Sequence, residues 1–398
     1  MKKYDEDITT TAGQQITNIL QSVLADKKRC LLHEPCFEGK EKQYLKECID
    51  SSYVSSVGKF VDQFEQQLAD YTSARRVVAV VNGTSALQIA LKLADVSEED
   101  EVLVPALTFV ATANAVHYVG ATPHFVDCEE ETLGIDAKAL RSWLQYCAEK
   151  TVDGYRNRKT GKRIRAVLPM HTFGHPSDLE GLMSIAHDYK LILIEDASES
   201  LGSFYQGKHV GTFGKFGTLS FNGNKIITTG GGGAIITDNS ELAKRAKYIT
   251  TTAKVPHPYE FVHDEIGYNY RMPNLNAALG CAQMERLDEF LTIKAQLADQ
   301  WEAFFHDRDV DFVRAINGNN ANHWLNAIIF DSRLERDNFL KITNDNNVMT
   351  RPIWTLMSKL AMFKDCQTDG LENSLWLADR VVNIPSSIPD GALKQMDK

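Results

Sequence analysis

The chain has 398 residues, 43% of them hydrophobic and 24% charged, with a formal net charge of -10. That length accommodates one large domain and a smaller one, with ample core. The acidic balance excludes a nucleic-acid backbone or an anionic membrane as the main partner, because either needs a basic surface, and leaves small molecules as the expected ligands.

The start, MKKYDEDITT, turns acidic after two lysines and lacks the apolar stretch of a signal peptide. No later stretch approaches the ~18 to 20 uninterrupted apolar residues of a membrane helix, so a cytoplasmic protein is expected. After a polar, helix-prone N-terminal region, short apolar β-rich runs alternate with helical segments. Strands are predicted over 77–81, 101–105, 123–127, 165–170, 191–195, 217–221 and 234–237, and a helix over 85–93, SALQIALKL, where apolar residues recur at helical spacing. The alternation predicts an α/β domain with a mostly parallel sheet. Within it, EKTVDGYRNRKTGKRIRAV concentrates basic residues, including Arg158 and Lys159, around a Thr-Gly turn signal. A solvated hairpin is the plain reading, and an anion-contacting loop the sharper one. Near Arg271-Met272-Pro273 the pattern changes to a helical run over 274–301, followed by strand-like runs at 325–330 and 381–385. The expected division is therefore 1–280, an N-terminal segment with the large α/β domain, and 281–398, a small C-terminal domain. Seven scattered cysteines, with no CxxC pair and no His/Cys cluster, predict reduced thiols and no metal site.

In open α/β sheets ligands bind beyond the carboxyl ends of the strands. Those positions hold Asn82-Gly83-Thr84-Ser85, Thr108-Phe109, His171, Asp196 and Lys225. The stretch SFNGNKIITTGGGG places Lys225 before the glycines and follows it with Ile226 and Ile227. A P-loop has the opposite order, which excludes a nucleoside-triphosphate cradle. A carboxylate and a lysine at two strand ends can instead face one pocket, and pyridoxal 5'-phosphate needs that pair: a lysine Schiff base and an acid beside the pyridinium nitrogen. Lys225 could then move the proton between the substrate carbon and the cofactor.

Each residue also has a plainer reading. Asp196 alone suits a helix N-cap and Lys225 an exposed loop. NGTSAL leaves a strand and opens a helix, so the N–H groups of Gly83, Thr84 and Ser85 form an anion site, with simple capping the alternative. Phe109 could stack on the cofactor or be ordinary core. Glu199 could reach the cofactor's phenolic oxygen or be a surface residue in a first helical turn. Gly230 to Gly233 are expected to form a tight turn into the next strand, serving Lys225 by positioning.

Asn-Gly-Thr-Ser, Thr-Phe-Val-Ala-Thr, Glu-Asp-Ala-Ser-Glu-Ser, Ser-Phe-Asn-Gly-Asn-Lys and Gly-Tyr-Asn-Tyr-Arg-Met occur in this order. With that set, the sequence resembles the DegT/DnrJ/StrS family of nucleotide-sugar aminotransferases, from about Tyr53 to Ser387. The resemblance implies a fold-type-I, aspartate-aminotransferase-like architecture: a large α/β/α domain with a mostly parallel mixed sheet and a smaller C-terminal α+β domain. It also implies a homodimer with shared active sites. Lys225 then carries pyridoxal 5'-phosphate, Asp196 pairs with the pyridine nitrogen, Glu199 contacts the ring oxygen and Phe109 stacks on the ring. Thr84, Ser85 and Ser220 hold the phosphate, and Asn269 reaches over from the other subunit. Relatives often carry Gln or His where this chain has Glu199. A dehydratase branch replaces the lysine with histidine, so Lys225 favours transamination.

The stretches LHEPCFEGKEKQYLKECIDSSYVSSVGKFVDQFE and HTFGHPSDLEGL resemble the LegC-like branch. This implies amination of a UDP-linked 4-keto-6-deoxy-N-acetylhexosamine by L-glutamate, feeding bacillosamine- or legionaminic-acid-type surface glycans. A GDP- or dTDP-sugar is the alternative. Ser56, His323, Arg351 and the basic segment at Arg158 and Lys159 are candidates for contacting the substrate. A pyridoxal-phosphate-dependent sugar dehydratase or lyase would use the same pocket without an amino donor. A scaffold without turnover would be expected to lose Lys225 or Asp196, and an NAD-binding protein lacks its GxGxxG after the first strand.

Overall fold

The computed structural model describes residues 30–389 apart from Asp307, Asp309 and Asn317, together with Ala392 and Leu393. The residues before Cys30, to which the signal-peptide expectation belongs, lie outside the described set. In chain order the strands of the first half are β1 (Arg76–Val80), β2 (Asp100–Pro105), β3 (Thr122–Val126), β4 (Ala148–Thr151), β5 (Gly154–Asn157), β6 (Arg163–Val167) and β7 (Ile192–Asp196). Two-residue strands β8 (Phe204–Tyr205) and β9 (Lys208–His209) precede β10 (Phe216–Ser220) and β11 (Gly233–Thr237).

The large sheet runs β1-β11-β10-β7-β6-β2-β3. Pairing is parallel from β10 through β7, β6 and β2 to β3, and antiparallel where β11 lies between β1 and β10. Covered by helices on both faces, these strands are buried nearly throughout, β2 along its whole length and β7 from Leu193 onward, with apolar centres and acids at one end. One core packs the helix Gly83–Leu93 on one face of the sheet, and a second, with Phe64, Phe221 and Phe290, fills the other. Parallel strands share a direction, so Pro105, Asp196 and Ser220 all end at one edge.

The remaining strands are β12 (Val310–Phe312), β13 (Asn319–Asn320), β14 (Asn326–Phe330), β15 (Arg351–Pro352) and β16 (Val381–Ile384). The antiparallel sheet β12-β14-β16-β15 packs Ile328, Phe330, Val382 and Ile384 against Leu297, Trp301 and Phe305 of the helix Leu287–Phe305. Alternation along β16 turns Asn383 to the opposite face, toward the large sheet. The run expected to be one helix is two, Asn274–Met284 and Leu287–Phe305, broken at Glu285-Arg286. The first described N-terminal residues bridge the two cores: Cys30 belongs to the small sheet's core, whereas Leu32 packs against the large sheet's. Cys30 packs beside Val348, with Cys30 N–H donating to Asn347 and Ser386 N–H to Leu32.

Candidate active site

Where the carboxyl ends of β7 and β10 face the small sheet, a cavity of about 590 Å³ opens. Asp196, Glu199, Ser220 and Lys225 line it, joined by Gly83, Thr84, Phe109 and Arg351. Eight residues picked from the sequence thus meet in one space.

Asp196 is 3% exposed. Its carboxylate accepts hydrogen bonds from the Thr112 hydroxyl at 2.8 Å and from Ser198 N–H at 3.1 Å. Thr112 in turn contacts the Thr108 hydroxyl at 2.7 Å, so the acid is fixed by a short buried chain of hydroxyls. The plain N-cap reading of Asp196 does not account for that hold from a helix 84 residues away.

Lys225 sits in the turn after β10, closed by its N–H donating to the Asn222 carbonyl at 3.0 Å. Its amine lies 3.2 Å from Glu199 Oε1 and 3.9 Å from the centre of the Trp324 ring. Glu199 also accepts from Phe173 N–H at 2.9 Å. Burial raises the Glu199 carboxyl to about 7, assisted by the nearby Asp196 charge and opposed by Lys225 and by the Phe173 hydrogen bond. The surface reading of Glu199 is excluded at 3% exposure.

At the start of the helix Gly83–Leu93, Asn82 Oδ1 accepts from Ser85 N–H at 2.7 Å, which leaves Gly83 and Thr84 as the cavity-lining part of the turn. Ser85 therefore serves the cap and does not line the cavity. A Cβ on Gly83 would stand 2.9 Å from Ser220 Cβ and 3.1 Å from Ser198 Oγ. Two hydroxyls thus converge on a helix N-terminus that only glycine leaves open, a cradle suited to a phosphate. Gly233 has a related reason: a Cβ there would meet the Asn82 carbonyl carbon at 2.4 Å, so β11 can pass beside the cradle only as glycine. Gly231 and Gly232, expected only to position the turn, line the cavity.

A lysine, a buried carboxylate, a phosphate cradle and the half-exposed ring of Phe109 in one cavity fit pyridoxal phosphate. Residues 35–393 match the DegT/DnrJ/EryC1/StrS aminotransferase family. The chain belongs to that family. It is a pyridoxal-phosphate-dependent sugar aminotransferase. It is 35% identical over 361 residues to the GDP-perosamine synthase of Escherichia coli O157:H7, covering 89% of this chain and 92% of that protein. It is 32% identical to the GDP-perosamine synthase of Vibrio cholerae, covering 89% and 93%. The aminotransferase TlmJ from Streptoalloteichus hindustanus shares the fold, with a TM-score of 0.81 at 23% identity over 90% of this chain and 93% of that one. The architecture is the expected fold-type-I one. The finer LegC-like assignment is corrected: these relatives carry the GDP-perosamine synthase name, and the branch resemblance rested on whole stretches of chain without a defined contact.

Other expected site residues stand elsewhere. Arg158 and Lys159 precede β6, whose first residue, Arg163, pairs with Asp100 at the start of β2. That is the end of the strands opposite the cavity, about 17 Å away for a five-residue strand. The basic segment answers local acids instead: Arg163 binds Asp100 at 2.6 Å, and Thr160 donates to the buried Glu101. Ser56 is half-buried in the loop before the helix Lys59–Thr72 and does not line the cavity. Asn269 is exposed beside Thr251 and does not line its own chain's cavity. His323 is buried with its ring against His175, and burial lowers it to about 3. Ser198, Thr112, Trp324 and Asn383 are cavity or support residues that strand-end reading missed: Ser198 follows β7 by two residues without a signal to single it out from Asp196 and Glu199, and the other three lie away from the ends of the large sheet's strands. Among the described residues no helix is long and apolar enough to cross a membrane, and no group of three His, Cys, Asp or Glu could hold a metal ion.

Proposed function

We propose that this aminotransferase delivers the amino group of L-glutamate to C4 of a GDP-linked 4-keto-6-deoxy sugar, for a surface polysaccharide. The observation that carries the catalytic part is the meeting of Lys225 and Asp196 in one cavity beside the Gly83 cradle. The GDP-perosamine synthase names of two relatives at 32–35% identity support the nucleotide, in place of the UDP-sugar read from the sequence.

Pyridoxal phosphate, when bound, supplies an electron sink for the bond broken at the amino-bearing carbon. Lys225 would be its attachment point, and the Lys225 Nζ would take and return the proton at that carbon. Asp196, oriented by Thr112 and Ser198, would pair with the ring nitrogen. Glu199 would serve the ring oxygen and Phe109 the ring face. Gly83, Thr84, Ser198 and Ser220 would hold the phosphate, with Ser85 supporting them through the Asn82 cap.

Arg351 is the substrate residue this reading keeps. It stands opposite Asn383 in the β15–β16 register, so the two share the face turned to the cavity. Asn383 is 3% exposed and its Nδ2 has no hydrogen-bond partner, an orphan donor that an anionic or carbonyl group of the substrate could satisfy.

The enzyme is proposed to act as a homodimer. Tyr259, Phe261 and Ile266 are about four-fifths exposed on the segment that also carries Asn269, more apolar surface than a monomer usually leaves in water. A second copy is the proposed occupant, and it brings Asn269 to the partner's phosphate site.

The substrate is tested by supplying L-glutamate with GDP- and UDP-linked 4-keto-6-deoxy sugars in separate reactions. Amination of the GDP-sugar alone supports the proposal. Amination of the UDP-sugar alone overturns the nucleotide and leaves the transaminase.

A further inference from the structure

Lys225 presents a physical problem. It sits on an irregular turn, and its flexible four-carbon stem can take many rotamers. An amine that must form a bond at one atom and move a proton at another needs a defined resting place.

The structure supplies one through a segment that no strand-end reading would select. Trp324 is 4% exposed and reaches across from the entry to β14. Its indole N–H donates to the Asn224 carbonyl at 2.5 Å, which pins the turn. Its ring face lies under the next residue's amine, with Lys225 Nζ 3.9 Å from the ring centre. One side chain therefore holds the backbone at 224 and the cation at 225.

Trp324 is itself held. Its N–H donates to Asn322 Oδ1 at 2.9 Å, and its carbonyl accepts from the buried Lys294 at 3.2 Å. Asn322 Nδ2 donates to the carbonyls of Glu199 at 2.8 Å and Leu201 at 2.9 Å. Between Asn322 and Trp324, His323 adopts φ 51°, a left-handed conformation that histidine tolerates better than most residues. Phe173, whose N–H binds Glu199, is left-handed too, at φ 55°. Such strain persists where surrounding contacts over-determine the backbone. The contacts close a ring: Lys225 to Glu199, Glu199 to Asn322, Asn322 to Trp324, and Trp324 back to Lys225.

We propose that Trp324 is a positioning residue, whose indole face and the Glu199 carboxylate form a resting cradle for the Lys225 amine, anchored to the small-sheet segment by Asn322. The inference rests on the reading that Lys225 carries the cofactor. It gives His323 a backbone role in place of the substrate contact expected from the sequence.

The test uses the full-length, cofactor-free protein with Trp324→Leu and Trp324→Phe. With lysine labelled at Cε, the Lys225 resonance is assigned by its absence in Lys225→Ala. In wild type it shows an upfield ring-current shift, and in Trp324→Leu the shift is lost. Mixing with pyridoxal phosphate then reads the rate of attachment through the visible absorbance, with borohydride trapping and mass analysis placing the adduct on Lys225. Loading slows about tenfold in Trp324→Leu, because the amine and the turn at Asn224 lose their defined place. In Trp324→Phe, which keeps an aromatic face, it stays within about threefold of wild type. An unshifted wild-type resonance, or Trp324→Leu loading at the wild-type rate, overturns the inference. If wild type itself never attaches the cofactor at Lys225, the reading of Lys225 fails first, and the two failures are thereby told apart.

Discussion

Thr112 donates its hydroxyl proton to Asp196 across 2.8 Å, from a helix that begins beyond β2 to the last residue of β7. Neither side chain is open to solvent, at 0% and 3% exposure. In Thr112→Val the carboxylate loses that donor with little change of volume. A hydrogen bond to a charged group is worth about 1.5–3 kcal/mol, so turnover is expected to fall by about one to two orders of magnitude while the fold persists. Stopped-flow measurement of the glutamate half-reaction checks this, and an unchanged rate would mean that Asp196 is held adequately by Ser198 alone.

The Glu199 carboxyl gives a pH prediction. Its folded value is raised from 4.5 to about 7, burial being the main cause. Between these values the unfolded chain has released the proton and the folded chain has not, so this group lowers stability as pH rises through that window. In cofactor-free protein, Glu199→Gln gains on the wild type from pH 4.5 to 7, by at most about 3 kcal/mol, and the difference then levels off. Losing the Lys225 contact adds an offset without altering the slope. Urea unfolding at a series of pH values reads the difference, and parallel profiles would sink the assignment.

The motif GYNYRM contributes a structural clamp as well. Arg271 binds Glu65 at 2.8 Å and the Ala79 carbonyl at 2.9 Å, while Glu65 accepts from Ala79 N–H at 2.9 Å. Arg271→Met leaves the largely buried Glu65 carboxylate with the Ala79 N–H and the half-exposed Lys247, 3.3 Å from its other oxygen. A loss of about 2 kcal/mol is expected by denaturant titration, with partial recovery on adding Glu65→Met, because the weakened pairing leaves a buried charge under-compensated.

Arg158 and Lys159 supply the opposite kind of prediction. Their loop caps the far end of the sheet, with Arg158 N–H on the Cys147 carbonyl and Lys159 N–H on Asn157. Replacing both by alanine leaves the sugar-nucleotide KM within about twofold. A tenfold rise would return them to the substrate site.

These cases show what was legible in the sequence. Asp196, Lys225 and Gly83-Thr84 could be read because an α/β sheet gathers the residues after its strands at one edge, whatever else the chain does. Arg158 and Lys159 misled because a run of charge carries no direction, and the acids it answers, Asp100 and Glu101, lie about 60 residues earlier. The break at Glu285-Arg286 has no glycine or proline to mark it. Trp324 and Asn322 reach the site over 100 and 123 residues of separation, from a segment whose composition suggests only the start of a strand. Asn-His at its turn, two residue types that tolerate positive φ, was the available signal.

The central claim is that Lys225 and Asp196 form one transaminating site, and it is tested most directly by the visible spectrum of Lys225→Ala beside wild type, with pyridoxal phosphate, before and after L-glutamate. The account predicts a band of lysine-bound cofactor in wild type that glutamate bleaches and a GDP-linked keto sugar restores, and no such band or turnover in the variant. A variant that keeps the band and full turnover would contradict the account, as would a wild-type band that no amino donor changes.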